Sequence, residues 1–305
     1  MLTEVSVVIS FAELLDQASQ RLEAARLSYG HGTTNARDEA AWLVLWQLGL
    51  PLDSDLDALA RRRVGHEEQA AVRALVQRRI DTREPAAYLT HEAWLQGVPF
   101  YVDRRAIVPR SFIAELLAEG AIDPWLDENS RDVLDLCTGN GSLAVLAAMA
   151  YPDVRVTGAD ICAEALEVAR INVDRHGLQD RITLVESDGL AACPGPWDLI
   201  LCNPPYVNAQ SMADLPPEYR AEPSLALDGG ADGMDFVRKL LRDAPARLKP
   251  QGVLVLEIGN EREHFENAFP ELEAIWLDTS AGEDQVLLLT QESLLALAAP
   301  HTPSP

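Results

Sequence analysis

The sequence predicts an α/β protein in which a small helical domain precedes an open, mostly parallel sheet of seven strands with an antiparallel last strand. Two patterns predict this fold class. Apolar residues recur at helical spacing in the N-terminal part of the chain, whereas beyond Asp132 short apolar segments alternate with helical stretches. The second pattern is typical of parallel strands joined by crossover helices. At 305 residues the chain is long enough for two domains.

Three helices are predicted in an N-terminal domain over residues 1–90, which we expect to select the substrate. Their apolar faces begin at Phe11 and continue through residues 41–48 and 70–80. Between the first two helices, residues 29–35 (YGHGTTN) combine glycines with short polar side chains. That composition predicts a turn followed by a helix N-cap.

A β-hairpin linker is predicted over residues 91–110. Aromatic and β-branched residues alternate with others from Trp94 to Val108, and the pattern is interrupted near Asp103 and Arg104. Pro109 ends the hairpin, because proline cannot donate a hydrogen bond to a strand ladder.

The main domain is predicted over residues 111–298, followed by a disordered tail over 299–305. The last two strands are separated only by a short turn around Ala281 and Gly282, so they should pair antiparallel. Residues 209–232 are rich in proline, glycine and acidic residues without a clear period, which predicts an ordered loop or lid. The seven strands are predicted at residues 133–137, 154–159, 182–185, 199–202, 253–258, 274–277 and 286–289.

The chain is strongly acidic, with 48 acidic against 25 basic residues and a formal net charge of -23. A field of this sign repels nucleic-acid phosphates and anionic membrane surfaces, so neither is expected as a direct partner. It attracts and steers a basic protein partner instead. The same acidity also fits a role in solubility alone or the ionic conditions of the host.

The cysteines lie far apart without a C-x-x-C pair, which predicts buried thiols rather than disulfides or a metal site. The N-terminus lacks the basic start and long apolar centre of a signal peptide, and no apolar run approaches the length of a membrane span. We therefore expect a cytoplasmic protein without a bound metal. The four cysteines are Cys137, Cys162, Cys193 and Cys202.

Residues 135–141 (DLCTGNG), here called the glycine turn, follow a predicted strand and precede a helical run. Glycines at such a turn let a ligand approach the backbone and the helix N-terminus. Gly139, Gly141 and Ala144 also satisfy the dinucleotide fingerprint G-x-G-x-x-A. The motif alone therefore does not distinguish an adenosyl from a nicotinamide cofactor, or either from a tight turn without a ligand.

Two aspartates follow the next predicted strands at the same edge of the sheet. Asp160 ends the second strand, where a carboxylate can bind both hydroxyls of a ribose. Asp188 closes the third strand and can accept a hydrogen bond from an adenine amino group. Each position also suits an aspartate that caps a helix.

The NPPY motif, formed by Asn203, Pro204, Pro205 and Tyr206, comes directly after the fourth predicted strand. Pro205 has a fixed φ and no N–H, and Pro204 holds Asn203 in an extended conformation. The segment is therefore a rigid frame of acceptors that can bind the N–H groups of an amide while Tyr206 packs against the amide plane. This arrangement indicates chemistry on a nitrogen whose lone pair is delocalised.

With these motifs the sequence resembles the seven-stranded, Rossmann-like S-adenosylmethionine-dependent methyltransferases, and more narrowly the protein-glutamine N5-methyltransferases that act on translation proteins. The resemblance runs from about Tyr29 to Thr290. Phe112 departs from the proline expected at its position, and Cys137 stands where the family often has glycine or another small residue. Three segments are similar to the branch that acts on large-subunit ribosomal protein L-three: residues 29–40 (YGHGTTNARDEA), 84–115 and 215–233 (LPPEYRAEPSLALDGGADG).

The resemblance implies S-adenosylmethionine as the cofactor and a glutamine of the basic ribosomal protein L-three as the methyl acceptor. The NPPY motif would then be catalytic and hold the target glutamine. The glycine turn would contact the methionine end of the cofactor, Asp160 its ribose and Asp188 its adenine end. The implied cofactor-binding residues are Asp135, Cys137, Thr138, Gly139, Asn140, Gly141, Asp160, Asp188 and Asn203.

Other functions fit parts of the pattern. Peptide-chain release factors are the closest rival substrate. Adenine N6-methylation of DNA poses the same problem at nitrogen, but it is opposed by the negative charge, and the arginines at 61–63 and 78–79 are expected on solvated helix faces. A nicotinamide-dependent oxidoreductase leaves the NPPY motif unexplained. A non-catalytic assembly factor would bind a ribosomal protein through its acidic face and would tolerate Asn203→Ala.

Overall fold

The computed structural model describes residues 8–298, and the tail predicted at 299–305 lies outside that range. The chain divides into two compact units. Among the described residues, the first consists of 8–92 together with Pro216–Ala221, and the second consists of Ala93–Leu215 together with 222–298. A short segment from the later part of the chain thus belongs to the N-terminal unit.

The first unit is mainly helical, as the sequence predicts. Two-residue strands, β1 (Ile9–Ser10) and β2 (Arg63–Val64), pair antiparallel and are too short to leave an alternating pattern in the sequence. The N-cap predicted within residues 29–35 is confirmed, since Asn35 Oδ1 accepts a hydrogen bond from the Asp38 N–H at 2.9 Å. The helices are α1 (Phe11–Ala24), α2 (Ala36–Gln47), α3 (Leu56–Leu59), α4 (His66–Thr82) and α5 (Ala86–Thr90).

A buried ion network lies inside the first unit. The guanidinium of Arg79 donates to Glu39 at 2.8 Å, and both side chains are almost fully shielded from solvent. Glu218, from the segment Pro216–Ala221, accepts the Ser28 N–H at 3.0 Å and pairs with Arg83 at 2.6 Å. Its carboxylate is buried among these partners, which fixes the returning segment in this unit.

The second unit begins with the hairpin strands β3 (Ala93–Leu95) and β4 (Val98–Phe100). Its seven further helices among the described residues are α6 (Ile113–Glu119), α7 (Ser142–Ala150), α8 (Ala163–Arg175), α9 (Ala209–Asp214), α10 (Asp235–Asp243), α11 (Arg262–Ala268) and α12 (Gln291–Ala298). Its other strands are β5 (Asp132–Leu136), β6 (Arg155–Asp160), β7 (Ile182–Glu186), β8 (Trp197–Cys202), β9 (Leu248–Glu257), β10 (Ile275–Thr279) and β11 (Gly282–Thr290).

These last seven strands form one sheet in the order β10-β11-β9-β8-β5-β6-β7. The strands from β9 to β7 run parallel, while β11 is antiparallel to both of its neighbours, which confirms the predicted sheet. Side chains alternate between two apolar clusters on its faces: Val133 and Leu199 lie in one, Leu134 and Ile200 in the other. No helix among residues 8–298 is both long and apolar enough to cross a membrane.

The hairpin turns earlier than the interruption at Asp103 and Arg104 suggests. Its turn residues are Gln96 and Gly97, both with positive φ, and Ala93 pairs with Phe100. Asp103 instead forms a local turn by accepting the Arg105 N–H at 3.0 Å. Residues 101–110 therefore continue as irregular chain rather than as a second, longer strand.

Residues 209–232 contain more regular structure than the predicted loop. Asn208 caps α9 by accepting the Ser211 N–H at 2.9 Å, and 3₁₀ turns follow at Tyr219–Ala221 and Ser224–Ala226. The prediction of a segment without elements is therefore wrong. Elements this short leave no apolar period in the sequence.

Candidate active site

The sheet register brings the predicted motifs to one edge. Leu136 at the end of β5 pairs with Cys202 at the end of β8, so the glycine turn and the NPPY motif leave the sheet side by side. Leu136 also pairs with Ala159 of β6, which places Asp160 next to the same turn. Ligands of open parallel sheets bind at this carboxyl edge.

The Asp135 side chain stabilises the glycine turn through hydrogen bonds. Its carboxylate is buried and accepts hydrogen bonds from the Thr138 hydroxyl at 2.5 Å and the Ala144 N–H at 2.9 Å. Burial raises the pKa of Asp135 to about 7, although both hydrogen bonds favour the ionised form. Asp135 Oδ1 has no hydrogen-bond partner among the described residues.

The glycines of the turn occupy conformations that other residues rarely adopt. Gly139 and Gly141 have φ of 53° and 80°, and a Cβ on Gly141 would lie 3.0 Å from the Cβ of Ala169. Cys137 has the same left-handed backbone, with φ of 61°, which explains why glycine suits its position. The neighbouring thiol of Cys202 and burial raise the pKa of Cys137.

The Asp160 side chain stabilises the glycine turn by accepting hydrogen bonds from backbone N–H groups. One carboxylate oxygen accepts the Gly139 N–H and the other accepts the Cys162 N–H, each at 2.9 Å. Burial raises the pKa of Asp160, while these hydrogen bonds lower it. The carboxylate therefore already orders the loop that the predicted cofactor would contact.

A buried asparagine that the motifs did not identify also supports this loop. Asn172 on α8 donates from Nδ2 to the carbonyl oxygens of Asn140 at 2.8 Å and Tyr101 at 2.9 Å. Its Oδ1 accepts the Tyr101 N–H at 2.7 Å. The only trace in the sequence is an asparagine on the apolar side of a helix. Asn140 Nδ2 is buried without a hydrogen-bond partner in the described part of the chain.

Asp188 lies apart from this hydrogen-bonded group. Its side chain is exposed and pairs with Lys239 Nζ of α10 at 2.6 Å. The same ammonium also donates to the Asp188 carbonyl at 3.3 Å. The carboxylate predicted for an adenine amino group is thus engaged by a surface lysine.

Glycines pack closely against the end of the NPPY motif. The Val207 N–H donates to the Leu227 carbonyl at 2.8 Å. A Cβ on Gly233 would overlap the Tyr206 carbonyl oxygen, and one on Gly259 would lie 2.5 Å from Tyr206 Cε2. Burial raises the pKa of Tyr206 well above its usual range. The tyrosine ring therefore stays neutral and lies against bare backbone.

Two buried carboxylates beside the NPPY motif were not predicted as functional. Glu222 binds Arg110 through two hydrogen bonds of 2.7 Å, and its Oε1 also accepts the Val108 N–H at 2.9 Å. Glu257 ends β9 and contacts Ser111. In the sequence, Glu257 stands out only as the single acidic residue at the end of the apolar run 253–257.

Two family models match the chain in separate regions. The model described as "PrmC N-terminal domain" matches residues 13–90, and the model described as "Methyltransferase small domain" matches residues 115–215. The second match includes the glycine turn and the NPPY motif.

Curated relatives match nearly the whole chain. A protein of Bordetella pertussis named ribosomal protein uL3 glutamine methyltransferase is 55% identical over 285 residues, covering 92% of this chain and 95% of its own. Proteins with the same name are 50% identical in Burkholderia pseudomallei, covering 94% and 96%, and 48% identical in Neisseria meningitidis, covering 93% and 93%.

Among solved structures, the hMettl16 catalytic domain in complex with a MAT2A 3'UTR hairpin is similar with a TM-score of 0.51. The sequence identity is 14%, and the match covers 76% of this chain and 84% of that chain. At this identity the likeness supports the fold alone.

Proposed function

The chain belongs to the ribosomal protein uL3 glutamine methyltransferases, and on this premise we propose that it transfers a methyl group from S-adenosylmethionine to the N5 side-chain nitrogen of a glutamine in uL3, the large-subunit protein L-three. The acidic charge supports a basic ribosomal protein as the partner, because it steers such a protein toward the enzyme. We assign substrate selection to the first unit, whose helices match a family model distinct from that of the second.

The observation that carries this proposal is the pairing of Leu136 with Cys202. It sets the glycine turn beside the NPPY motif, so that a cofactor held by one lies next to an amide held by the other. A methyl transferase requires this juxtaposition, because both reactants must be oriented in one site.

The residues of the glycine turn fit the proposed cofactor. Asp135 Oδ1 is a buried acceptor and Asn140 Nδ2 a buried donor, and both lack partners among residues 8–298. Such a pair suits the ammonium and carboxylate of an amino-acid group. We assign this end to residues 135–141 and the ribose to Asp160. For Asp188 to bind the adenine amino group, its carboxylate must exchange Lys239 for the ligand.

An amide nitrogen is a poor nucleophile because its lone pair is delocalised, as the rotation barrier of about 18–20 kcal/mol indicates. The Asn203 side-chain oxygen and the Pro204 carbonyl would each accept one N–H of the target, and Tyr206 would pack against the amide plane. Orientation of this kind supplies about 7–11 kcal/mol of a barrier. When bound, S-adenosylmethionine supplies an electrophilic methyl group. The amide proton leaves after transfer, so the site needs no dedicated base.

The test is mass spectrometry of recombinant uL3 after incubation with the protein and methyl-labelled S-adenosylmethionine, with a peptide-chain release factor assayed in parallel. We expect one added methyl on a glutamine of uL3 and none on the release factor. Methylation of the release factor alone would overturn the substrate, and no transfer to either would overturn the reaction.

A matched pair of variants assigns the reaction to the NPPY motif. Asn203→Ala should abolish transfer while folding and uL3 binding persist. Asn267→Ala, at an exposed position of α11, should leave the rate unchanged. Full activity of Asn203→Ala would contradict the assigned role.

A further inference from the structure

Glu261 is the N-cap residue of α11, yet its side chain does not cap that helix. Its Oε1 accepts a hydrogen bond from Asn208 Nδ2 at 2.7 Å, and its Oε2 is paired with His264 Nδ1 at 2.5 Å. The residue is buried, and a buried acceptor without a partner costs free energy. Both carboxyl oxygens are therefore satisfied by side chains rather than by the backbone of the helix that Glu261 begins.

Asn208 uses both ends of its amide. Its Oδ1 accepts the Ser211 N–H at 2.9 Å and so caps α9, while its Nδ2 donates to Glu261. Helix α9 is six residues long and contains no buried residue. A helix this short is not stable by itself, and α9 has no apolar face that could fix its position by packing. The Asn208 amide instead ties the start of α9 to Glu261.

The tied segment adjoins the proposed reaction centre. Asn208 is two residues beyond Tyr206, and a Cβ on Gly233 would lie 3.3 Å from Glu261 Cγ and would overlap the Tyr206 carbonyl oxygen. After α9 the chain continues into the segment Pro216–Ala221, which belongs to the first unit. Along the chain, α9 therefore connects the NPPY motif with a segment of the unit to which we assign substrate selection.

We propose that Glu261 is a positioning residue for uL3, which through Asn208 holds α9 where the polypeptide beside the target glutamine binds. This role rests on the proposed function. Glu261 acts through Asn208 rather than on the methyl group or the amide. The NPPY motif itself is fixed by its prolines and by the pairing of β8 on both sides. Loss of Glu261 should therefore raise the KM for uL3 and leave kcat and the KM for S-adenosylmethionine unchanged.

The test is a double-mutant cycle with Glu261→Met and Asn208→Ser, followed by steady-state kinetics on uL3. Glu261→Met removes the acceptor, whereas Asn208→Ser keeps a hydroxyl that can cap α9 and removes the amide donor. Each substitution should raise the KM for uL3 by about tenfold, equivalent to about 1.4 kcal/mol, and the pair should have no larger effect than either alone. Effects that multiply, or a lower kcat at an unchanged KM, would overturn the proposal.

Two further variants separate this role from a general loss of stability. Glu261→Gln keeps an oxygen that can accept from Asn208, so it should keep the KM for uL3 within about twofold of the parent value. Glu263→Met makes the same exchange of glutamate for methionine at an exposed position of α11 and should also keep the parent KM. A tenfold rise in either variant would mean that the hydrogen bond to Asn208 is not the cause.

Amide hydrogen exchange tests the anchoring of α9 without methyl transfer. The Ser211 N–H is bonded to the Asn208 side chain and the Met212 N–H to the Asn208 carbonyl. Both should exchange faster in Glu261→Met than in the parent and at the parent rate in Glu263→Met. Unchanged exchange in Glu261→Met would overturn the role of Glu261 even in an active enzyme. Faster exchange in a protein that never methylates uL3 would support the anchoring and refute the proposed function.

Discussion

Arg110 and Glu222 are joined by two hydrogen bonds of 2.7 Å each, in the bidentate geometry of a guanidinium with a carboxylate. The Glu222 side chain is fully buried, while Arg110 is about a quarter exposed. The pair ties residues 108–110 to the chain that follows the NPPY motif, since Glu222 also accepts the Val108 N–H.

Removal of Arg110 should destabilise the protein strongly. Arg110→Met leaves the Glu222 carboxylate buried without its cation, which costs about 3–5 kcal/mol of the free energy of unfolding. Urea denaturation measures the change. As a control, Arg37→Met breaks an ion pair with Asp16 in which both side chains are mostly exposed, and it should cost less than about 1 kcal/mol. Equal effects of the two substitutions would contradict the structural importance of the buried pair.

The buried Asp135 should make stability depend on pH. Because burial raises its pKa to about 7, the folded protein retains a proton that the unfolded chain loses near pH 4. The contribution of Asp135 to the free energy of unfolding therefore falls as pH rises from about 4 to about 7 and is level above that range. Asp135→Asn has no proton to lose, so its stability relative to the parent should improve between pH 5 and pH 8, as measured by urea denaturation.

Asp103→Asn is the matched control for this pH dependence. Burial opposes ionisation of Asp103, but hydrogen bonds from Arg105 and Tyr101 outweigh it and hold the pKa at about 2. Its carboxylate is ionised in both folded and unfolded chains between pH 5 and pH 8. The stability difference between Asp103→Asn and the parent should therefore stay constant there. A parallel constancy for Asp135→Asn would show that Asp135 is ionised in the folded protein.

Gly259→Ala should impair catalysis through Tyr206. The added Cβ would lie 2.5 Å from the ring, so the ring must move, and we expect a kcat loss of about tenfold or more, equivalent to about 1.4 kcal/mol. Gly177→Ala is the control, since Gly177 has a similar φ of 65° and no atom within 4 Å of the added Cβ. Both variants bear a left-handed strain of about 1–2 kcal/mol. Equal steady-state kinetics would mean that the ring position does not matter.

Asn172→Ser should weaken cofactor binding. The shorter side chain cannot reach the carbonyls of Asn140 and Tyr101, and each buried group left without a partner costs about 1–3 kcal/mol. The Kd for S-adenosylmethionine, measured by titration calorimetry, should rise at least fivefold. Asn267→Ser makes the same substitution at an exposed position and should leave the Kd unchanged. An unaltered Kd in Asn172→Ser would show that cofactor binding does not depend on the support that α8 gives to the glycine turn.

The sequence predicts those parts of the molecule whose pattern is local. The apolar strands beyond Asp132, the glycine turn and the NPPY motif are each contained in a few consecutive residues. Arg110 and Glu222 are 112 residues apart, so no local pattern relates them. Asn172 and Glu257 are polar residues within otherwise apolar stretches of a helix and a strand. Only the folded structure shows which backbone groups their side chains bind.

The short elements were missed for a related reason. The hairpin turn at Gln96 and Gly97 is set by backbone conformation, whereas the sequence pattern drew attention to the charged pair at Asp103 and Arg104. Helix α9 is six residues long and depends on the cap at Asn208 rather than on an apolar face. The lysine that pairs with Asp188 lies on α10, so this ion pair could be recognised only from the tertiary structure.

The helical unit is encoded by two stretches of chain rather than one, because Pro216–Ala221 belongs to it. A chimera that exchanges only residues 1–92 between two relatives would place one parent's Arg79 and Arg83 opposite the other parent's residue at position 218. The part of the sequence that encodes the helical unit is therefore discontinuous. Swaps intended to move substrate preference from one enzyme to another should transplant both stretches, and natural recombination within this lineage should tolerate a breakpoint near residue 92 only where the acid at 218 is shared.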